Sequence, residues 1–414
     1  MRALAGAARC ERPTSAASRA RVFQPGRFAQ GPEEKWGQSG RCVGRVVTRI
    51  LGWANADTAT TAEAAHSIGV KVLGPRPLDA SSDLVASLAA HTGGFAGSMT
   101  HVVSDLPDLA AVHDFLCGLQ DRICTELESL DGEVQFRRDE IPRPGGGVSR
   151  PCVLEDGPLF EKAAVHFTHT QGREMPAAAT QRRPELVGRT YEAISVSLIV
   201  HPRNPYVPTC HANFRFFMSP DPEGPKPVWW FGGGFDCTPY YGFADDAICW
   251  HRTARAACEV HSADLYPRFK EQCDRYFYLP HRDEQRGIGG VFYDDFDEGG
   301  FASAFELWRS TADAFLEAYV PIVKRRGQMA WGERERNFQL YRRGRYVEFN
   351  LLQDRGTRFG LEAGARTESI LASLPPKVTW RYDWSPEPGT AEAALYSDFL
   401  RPRNWADEPL SSND

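Results

Sequence analysis

The sequence predicts an α+β fold in which a large antiparallel β-sheet is flanked by α-helices on both faces. Two observations predict this class. Short runs typical of strands dominate the middle of the chain, and helical periodicity lies on either side of them. Strands and helices do not alternate strictly, as they would in a parallel βαβ sheet. We therefore expect one domain over residues 106–414, preceded by a low-order extension over residues 1–105.

Composition and charge exclude several classes of protein. The chain has 414 residues, of which 42% are hydrophobic and 25% charged, as in ordinary globular proteins. No window approaches about eighteen consecutive apolar residues, so we expect no transmembrane segment. The formal net charge of -6 argues against a nucleic-acid partner, which would need a basic excess. The ten cysteines contain no CxxC pair and are expected to be buried apolar residues in a reducing compartment.

The extension has a composition of its own. Its first thirty residues contain six arginines and a single acid, Glu11, which is typical of a transit peptide. A stretch without function is the alternative interpretation. Met99 lies just before the first strongly periodic segment, so a product that starts at Met99 would lose no predicted element.

The predicted elements follow from the spacing of apolar residues and from local start and stop signals. Apolar residues three and four apart from Leu109 onward, ended by Asp131-Gly132, predict an amphipathic helix. First-turn acids at Asp245 and Asp246 predict the start of a second helix. The predicted helices after the first are 245–260, 265–278 and 301–326. The predicted strands are 151–154, 164–167, 193–200, 211–218, 228–231, 346–352 and 378–382.

The predicted strand His211–Met218 is the most informative segment. Side chains alternate across a strand, so His211, Asn213 and Arg215 share one face and the apolar residues between them share the other. Imidazole, carboxamide and guanidinium groups together offer proton transfer, hydrogen bonding and a carboxylate clamp. The solvent face of an edge strand is the alternative interpretation.

A second segment, Trp229–Tyr241, combines aromatic residues with consecutive glycines. Gly232–Gly234 allow a backbone to approach a ligand closely, and Asp236 follows them. We predict an aromatic-walled crevice with one carboxylate, and a β-bulge beside a surface aspartate is the alternative. Neither GxGxxG nor GxxxxGK is present, so a nucleotide loop is not expected.

Arginines and histidines supply two further candidate sets. Arginines 342, 343 and 345 lead into the predicted strand at 346–352, and arginines 355, 358 and 366 follow it. Together they predict a local cationic patch, or alternatively a solvated charged face. Four histidines lie on four different predicted elements and could meet only through the fold. They are open to two interpretations, a divalent-metal site or a set of structural histidines. These histidines are His201, His211, His251 and His281.

Taken together, these segments closely resemble oxygen-dependent coproporphyrinogen III oxidases. The resemblance covers about residues 112–406. The segments that carry it are HANFRFF, VWWFGGGFDCTPYYGF, DAICWHRTAR, HRDEQRGIGGVFYDDF, ERERNFQLYRRGRYVEFNLLQDRGTRFGL and RTESILASLPP. The stretch from HTQGREMPAAAT to RPELVGR is similar to the bacterial branch of the family.

The resemblance implies an activity, an assembly and a location. Two propionates of coproporphyrinogen III would be oxidatively decarboxylated to vinyl groups, which gives protoporphyrinogen IX in haem biosynthesis with O2 as acceptor. It implies a homodimer and a cytoplasmic protein, or an organellar one if the extension is a transit peptide. No flavin, nicotinamide or haem motif is present, so we expect the substrate to serve as its own cofactor.

The resemblance also assigns roles to residues. His211 falls on the family's proton donor. One glycine of the family's GGR substrate segment is replaced by alanine in this chain, at Ala365. The residues that fall on substrate contacts are Ser197, Asn213, Phe214, Arg215, Gly364, Ala365 and Arg366. The residues that fall on a divalent-metal set of bacterial members are His201, His211, His251 and His281.

A tetrapyrrole with four carboxylates needs an apolar wall for its ring and guanidinium groups at its rim. We expect the wall from residues 229–231 and the rim from Arg215 and Arg366. Asp236 is predicted to accept hydrogen bonds from the pyrrole N–H groups and to keep the ring electron-rich. The predicted catalytic residues are His211, Asp236 and Arg215. Two alternatives stay open, a tetrapyrrole carrier without catalysis and a metal-dependent oxygenase.

Overall fold

The computed structural model describes residues 106–143, 145–175, 183–222, 224, 226–362 and 365–410. The predicted extension over residues 1–105 and the alternative start at Met99 lie outside these residues. In the described part of the chain, no helix combines the length and the apolar character that a membrane span requires.

A large antiparallel sheet lies at the centre of the described chain. In chain order the strands are β1 Arg137–Arg138, β2 Ile141–Pro142, β3 Gly147–Glu155, β4 Phe160–Gly172, β5 Tyr191–Pro202, β6 Thr209–Ser219, β7 Val228–Thr238, β8 Tyr278–Leu279, β9 Glu284–Gln285 and β10 Gly289–Phe296. The order across the sheet is β1-β3-β4-β5-β6-β7-β10, with β2 paired to β3, while β8 and β9 pair separately. Strands β3 to β7 are therefore neighbours in space as well as in the chain.

Helices precede and follow the strands. They are α1 Leu109–Asp131, α2 Ala244–Glu259, α3 Leu265–Tyr276, α4 Gly300–Arg326, α5 Glu333–Leu352, α6 Arg355–Glu362, α7 Thr367–Leu371 and α8 Ala391–Ala394. The Asp108 side chain caps α1 by accepting a 2.9 Å hydrogen bond from Ala111 N–H, and Gly132 ends the helix in a left-handed conformation. Both ends confirm the predicted start and stop, and the predicted helices at 245–260, 265–278 and 301–326 are confirmed as α2, α3 and α4.

Helices cover the two faces of the sheet to different extents, which confirms the predicted α+β class. The core face, which carries Phe214 and Phe235, is buried under α1, α2 and α4 in one continuous apolar core. The opposite face carries His211, and we call it the crevice face after the crevice predicted from the sequence. It has α5 at one end, where Tyr346 packs with Ala164 and Ile199. Side chains alternate along each strand, so the same strands build both faces.

Two predicted strands are wrong. Residues 346–352 are the last two turns of α5, and residues 378–382 form no strand. The aromatic side chains Tyr346 and Phe349 favour a strand locally, but at three-residue spacing they lie on one side of a helix that packs on the sheet. Thr379 N–H bonds to Leu340 O of α5 at 3.0 Å, so its backbone pairs with a helix instead of a strand. Tertiary contacts override local preference in both segments.

Candidate active site

A histidine, an aspartate and an arginine form a hydrogen-bonded chain on the crevice face. His211 on β6 stands directly opposite Asp236 on β7, and its Nδ1 lies 2.8 Å from Asp236 Oδ1. Arg286, shortly before β10, donates from Nη2 to Asp236 Oδ2 at 2.6 Å. Asp236 and Arg286 are buried, whereas the His211 side chain is 25% exposed. These hydrogen bonds therefore connect the buried Arg286 to His211, which is partly exposed on this face of the sheet.

The positive charge of Arg286 and the hydrogen bond from His211 keep Asp236 ionised. Burial alone raises the pKa of this carboxyl, but the Arg286 guanidinium and the His211 hydrogen bond outweigh it and hold the pKa below its ordinary value. The guanidinium carbon of Arg286 lies 4.1 Å and 4.7 Å from the ring centres of Phe277 and Tyr346, which hold it in place. Because the carboxylate accepts a hydrogen bond from Nδ1–H, Nε2 of His211 is the nitrogen available for proton exchange.

Asp236 differs from the lone carboxylate that the sequence predicted. Its two oxygens already accept hydrogen bonds from His211 and Arg286, and only 2% of the residue is exposed. Little of this carboxylate is open to the pyrrole N–H groups of a bound ring. The geometry assigns Asp236 to the orientation of His211.

Polar side chains continue along the crevice face beside this chain. Ser197 on β5 stands opposite Asn213 on β6, and Ser195 stands opposite Arg215. These side chains are partly exposed, whereas the residues between them along β5 and β6 are buried. The prediction that His211, Asn213 and Arg215 share one face is confirmed, because the strand alternates without a bulge.

Several predicted aromatic contacts lie on the wrong side of the sheet for a role in the crevice. Phe214 is fully buried on the core face, and Trp229 and Phe231 pack in the same core. Trp230 lies on the other face, where it stacks on Phe217 with ring centres 4.0 Å apart. Since neighbouring residues of a strand point to opposite faces, residues 229–231 cannot form one continuous wall.

Two arginines and an aspartate form what we call the rim, Arg215, Asp294 and Arg355. Arg215 Nη2 lies 2.7 Å from Asp294 Oδ1, and Arg355 Nη2 lies 3.4 Å from Asp294 Oδ2. Arg215 Nη1 also donates to Asn213 Oδ1 at 2.8 Å. To reach β10, Arg215 passes over Gly232 of β7, where a Cβ would lie 2.7 Å from Arg215 Nε. The glycine segment thus makes room for a side chain of the protein itself.

The predicted partner of Arg215 at the rim, Arg366, is placed differently. Its exposed side chain pairs with Glu368 at 3.1 Å, whereas Arg355 shares Asp294 with Arg215. Ala365 N–H bonds to Gly360 O at 2.9 Å. Gly364, the third residue of the predicted substrate segment, lies outside the described residues.

The predicted cationic patch is wrong for the three arginines before the predicted strand, whereas Arg355, which follows it, belongs to the rim. Arg342, Arg343 and Arg345 are buried along α5, so they form neither a substrate-facing patch nor a solvated face. Arg343 pairs with buried Glu161 at 2.7 Å, and Arg342 pairs with Glu284 at 2.8 Å. These ion pairs tie α5 to the sheet and to the β8–β9 pair.

The four histidines of the predicted metal set have separate partners. The ring nitrogens of His201 bond to a threonine hydroxyl and a backbone carbonyl, and those of His251 bond to a tyrosine hydroxyl and a backbone carbonyl. His281 Nε2 lies 2.9 Å from Glu348 Oε2, and His211 pairs with Asp236. Among the described residues, no group of three or more His, Cys, Asp or Glu side chains is placed to hold a metal ion. This arrangement does not fit a four-histidine metal site.

Two site residues, Arg286 and Asp294, escaped the sequence analysis. Both belong to the segment HRDEQRGIGGVFYDDF, which carried part of the family resemblance. An arginine before two glycines and a pair of aspartates were the signals present. Nothing local showed that Arg286 is buried against Asp236 or that Asp294 faces Arg215.

The site therefore combines one imidazole that can exchange a proton with two guanidinium groups that can bind a carboxylate. All three groups lie on the same face of the sheet. A comparison with known protein families matches residues 111–405 to the family described as coproporphyrinogen III oxidase. The match spans well over half of the chain and includes every residue of the His–Asp–Arg chain and the rim. The chain thus belongs to the coproporphyrinogen III oxidase family, an oxidoreductase family of haem and porphyrin biosynthesis.

Proposed function

We propose that this protein uses O2 to convert coproporphyrinogen III to protoporphyrinogen IX. Each of two propionates on a pyrrole carbon R reacts as R–CH2–CH2–COO⁻ + O2 + H⁺ → R–CH=CH2 + CO2 + H2O2. The C–COO⁻ bond and one C–H bond break, a C=C bond forms, and O2 takes up two electrons. The observation that carries this proposal is the placement of His211 and Arg215 on one face of β6.

The rim binds the carboxylate in this proposal. Arg215 and Arg355 are the guanidinium groups that can donate charge-assisted hydrogen bonds to a propionate. Along an extended strand His211 lies roughly 13 Å from Arg215, a span that suits one macrocycle with a propionate at each end. Asn213 and Ser197, on the same face between these ends, provide neutral polar contacts.

His211 supplies the proton that the reduced oxygen needs. Asp236 accepts the hydrogen bond from Nδ1–H and orients the ring, and Nε2 donates a proton as H2O2 forms. The electrons come from the substrate, since a pyrrole ring is electron-rich enough to react with O2 directly. We derive no step through a metal, because the histidines do not fit one. The homodimer, the bacterial-type assignment and the cytoplasmic location stay predictions from the resemblance.

Incubation of the purified full-length chain with coproporphyrinogen III under air and under nitrogen tests the proposal. Separation of the porphyrins should show divinyl product only in air, with about one H2O2 for each CO2, as the equation requires. A protein that binds the substrate without product in either gas would be a carrier. Product under nitrogen would overturn the role of O2. Loss of activity on chelation, restored by a divalent ion, would support the metal-dependent alternative.

A further inference from the structure

Asp294 lies between the two arginines that we propose bind a substrate carboxylate. The rim contains two guanidinium groups and one carboxylate, so its formal charge is +1. Burial alone raises the pKa of Asp294, but Arg215 and Arg355 outweigh it and hold the pKa below its ordinary value. Asp294 therefore stays ionised and competes with any carboxylate that approaches the same guanidinium groups.

Among the residues that the structure describes, the other direct contacts of the two arginines are uncharged. Arg215 donates to Asn213 and lies 5.8 Å from the ring centre of Phe292. Arg355 lies 4.9 Å from the ring centre of Tyr276. Asp294 is thus the acid in direct ionic contact with both guanidinium groups, and its charge weighs most on what they bind.

Two special backbone features bring Asp294 to this place. The register between β7 and β10 is interrupted between Tyr293 and Phe296, and Asp295 has a positive φ of 54°. Such a bulge re-aims side chains relative to a regular strand. On β7, Gly232 leaves the space through which Arg215 reaches Asp294. The contact between Arg215 and Asp294 therefore depends on the bulge in β10 and on the glycine in β7.

We propose that Asp294 is a specificity-determining residue, which limits the rim to one substrate carboxylate and repels tetrapyrroles that carry further carboxylates. This inference rests on the proposed function. Discrimination between related ligands often depends on a repulsive group as well as attractive ones, and like charges at a half-buried site are an effective form of repulsion. The affinity of the rim then depends on how many carboxylates the tetrapyrrole brings to it.

The substitution Asp294→Asn tests this proposal, because it removes the charge and keeps the shape. Fluorescence titration at low salt would give Kd for uroporphyrin III, coproporphyrin III and protoporphyrin IX, which carry eight, four and two carboxylates. We expect Kd to fall by about tenfold for the octacarboxylate, less for the tetracarboxylate and hardly at all for the dicarboxylate. The gain should shrink at high salt.

Asp295→Asn is the matched control, since it removes the same charge from the same bulge. Asp295 pairs with Arg183 at 3.8 Å and acts on Arg215 more weakly than Asp294 does, so its substitution should change each Kd in the same direction but by a clearly smaller factor. Arg355→Gln should act in the opposite direction and weaken the octacarboxylate most. The double variant D294N/R355Q restores the formal charge of +1 and should return the wild-type order.

Weaker binding of all three porphyrins by D294N, or an unchanged preference, would show that Asp294 only holds Arg215 in position. If D294N fails to fold, R355Q decides, because the Arg355 side chain is 42% exposed and its loss should be tolerated. Turnover of wild-type protein in air tests the proposed function separately. Normal wild-type turnover with an unchanged porphyrin preference in D294N would overturn this inference alone.

Discussion

The core face and the crevice face of the central sheet are built from the same strands, yet different forces hold them. On the core face, Phe214 and its apolar neighbours are fully buried under helices. On the crevice face, buried Asp236 depends on Arg286, and half-buried Asp294 depends on Arg215 and Arg355. Apolar burial stabilises the first face, and paired charges order the second. Substitutions on the core face should therefore change stability, and those on the crevice face should change activity, with stability also lost where a buried ion pair is broken.

The largest effect is expected from Asp236→Ala, which should impair both properties at once. It leaves Arg286 buried without its ionic partner, so the free energy of unfolding should fall by about 3–5 kcal/mol. It also leaves His211 without its orienting group, so kcat should fall by roughly 10²–10⁴-fold with little change in KM. Urea unfolding and steady-state kinetics measure the two effects.

The double variant D236N/R286M is the control for this prediction. It replaces the buried ion pair with neutral groups and should recover much of the stability without recovering kcat. Near-normal kcat in Asp236→Ala would remove Asp236 from the mechanism.

On the core face, Phe214→Ala should lower the free energy of unfolding by about 3–5 kcal/mol, because it leaves a cavity under the helices. KM for coproporphyrinogen III should stay close to the wild-type value at temperatures where the variant is folded. Phe214→Leu fills most of the space and should lose much less stability. A large rise in KM without loss of stability would place Phe214 in substrate contact, as the resemblance implied.

Arg215→Ala should show the reverse pattern. Each charge-assisted hydrogen bond to the substrate that it removes should weaken binding by about 1.5–3 kcal/mol, seen as a higher KM, while the unfolding free energy changes less. Unchanged substrate affinity would assign Arg215 to folding. Arg366→Ala tests the alternative rim, and an equal rise in KM there would favour the pairing predicted from sequence.

The smallest expected effect is the change in the free energy of unfolding for each pH unit that comes from a buried neutral histidine. Burial lowers the pKa of His251 to about 3, against an ordinary value near 6.5. Below pH 6.5 the unfolded chain binds a proton at this histidine that the folded chain does not. The free energy of unfolding therefore decreases by about 1.4 kcal/mol for each unit by which the pH is lowered, down to about pH 3. Unfolding midpoints at pH 7 and pH 5 measure this slope. His251→Gln should flatten it, and an unchanged slope would contradict the assignment.

Local pattern was sufficient wherever local physics decides the structure. The helix α1 follows from apolar spacing and its stop at Asp131-Gly132, and the strand at His211–Met218 follows from alternation. It was insufficient for Tyr346, whose aromatic ring favours a strand but lies on a helix that packs on the sheet. It was also insufficient for Arg343, because no local signal shows that Glu161, far away in the chain, is its partner.

The sequence by itself determined the fold class and the choice of His211, Asn213 and Arg215 as one face, since these depend on composition and on the period of a strand. It indicated the family through the segments that resemble it. Only the tertiary structure decided the partners of each charge. It joined Asp236 to Arg286 and Arg215 to Asp294, and it kept the four histidines apart. Ion pairs form between groups distant in the chain, so their energy depends on positions that only the folded backbone defines.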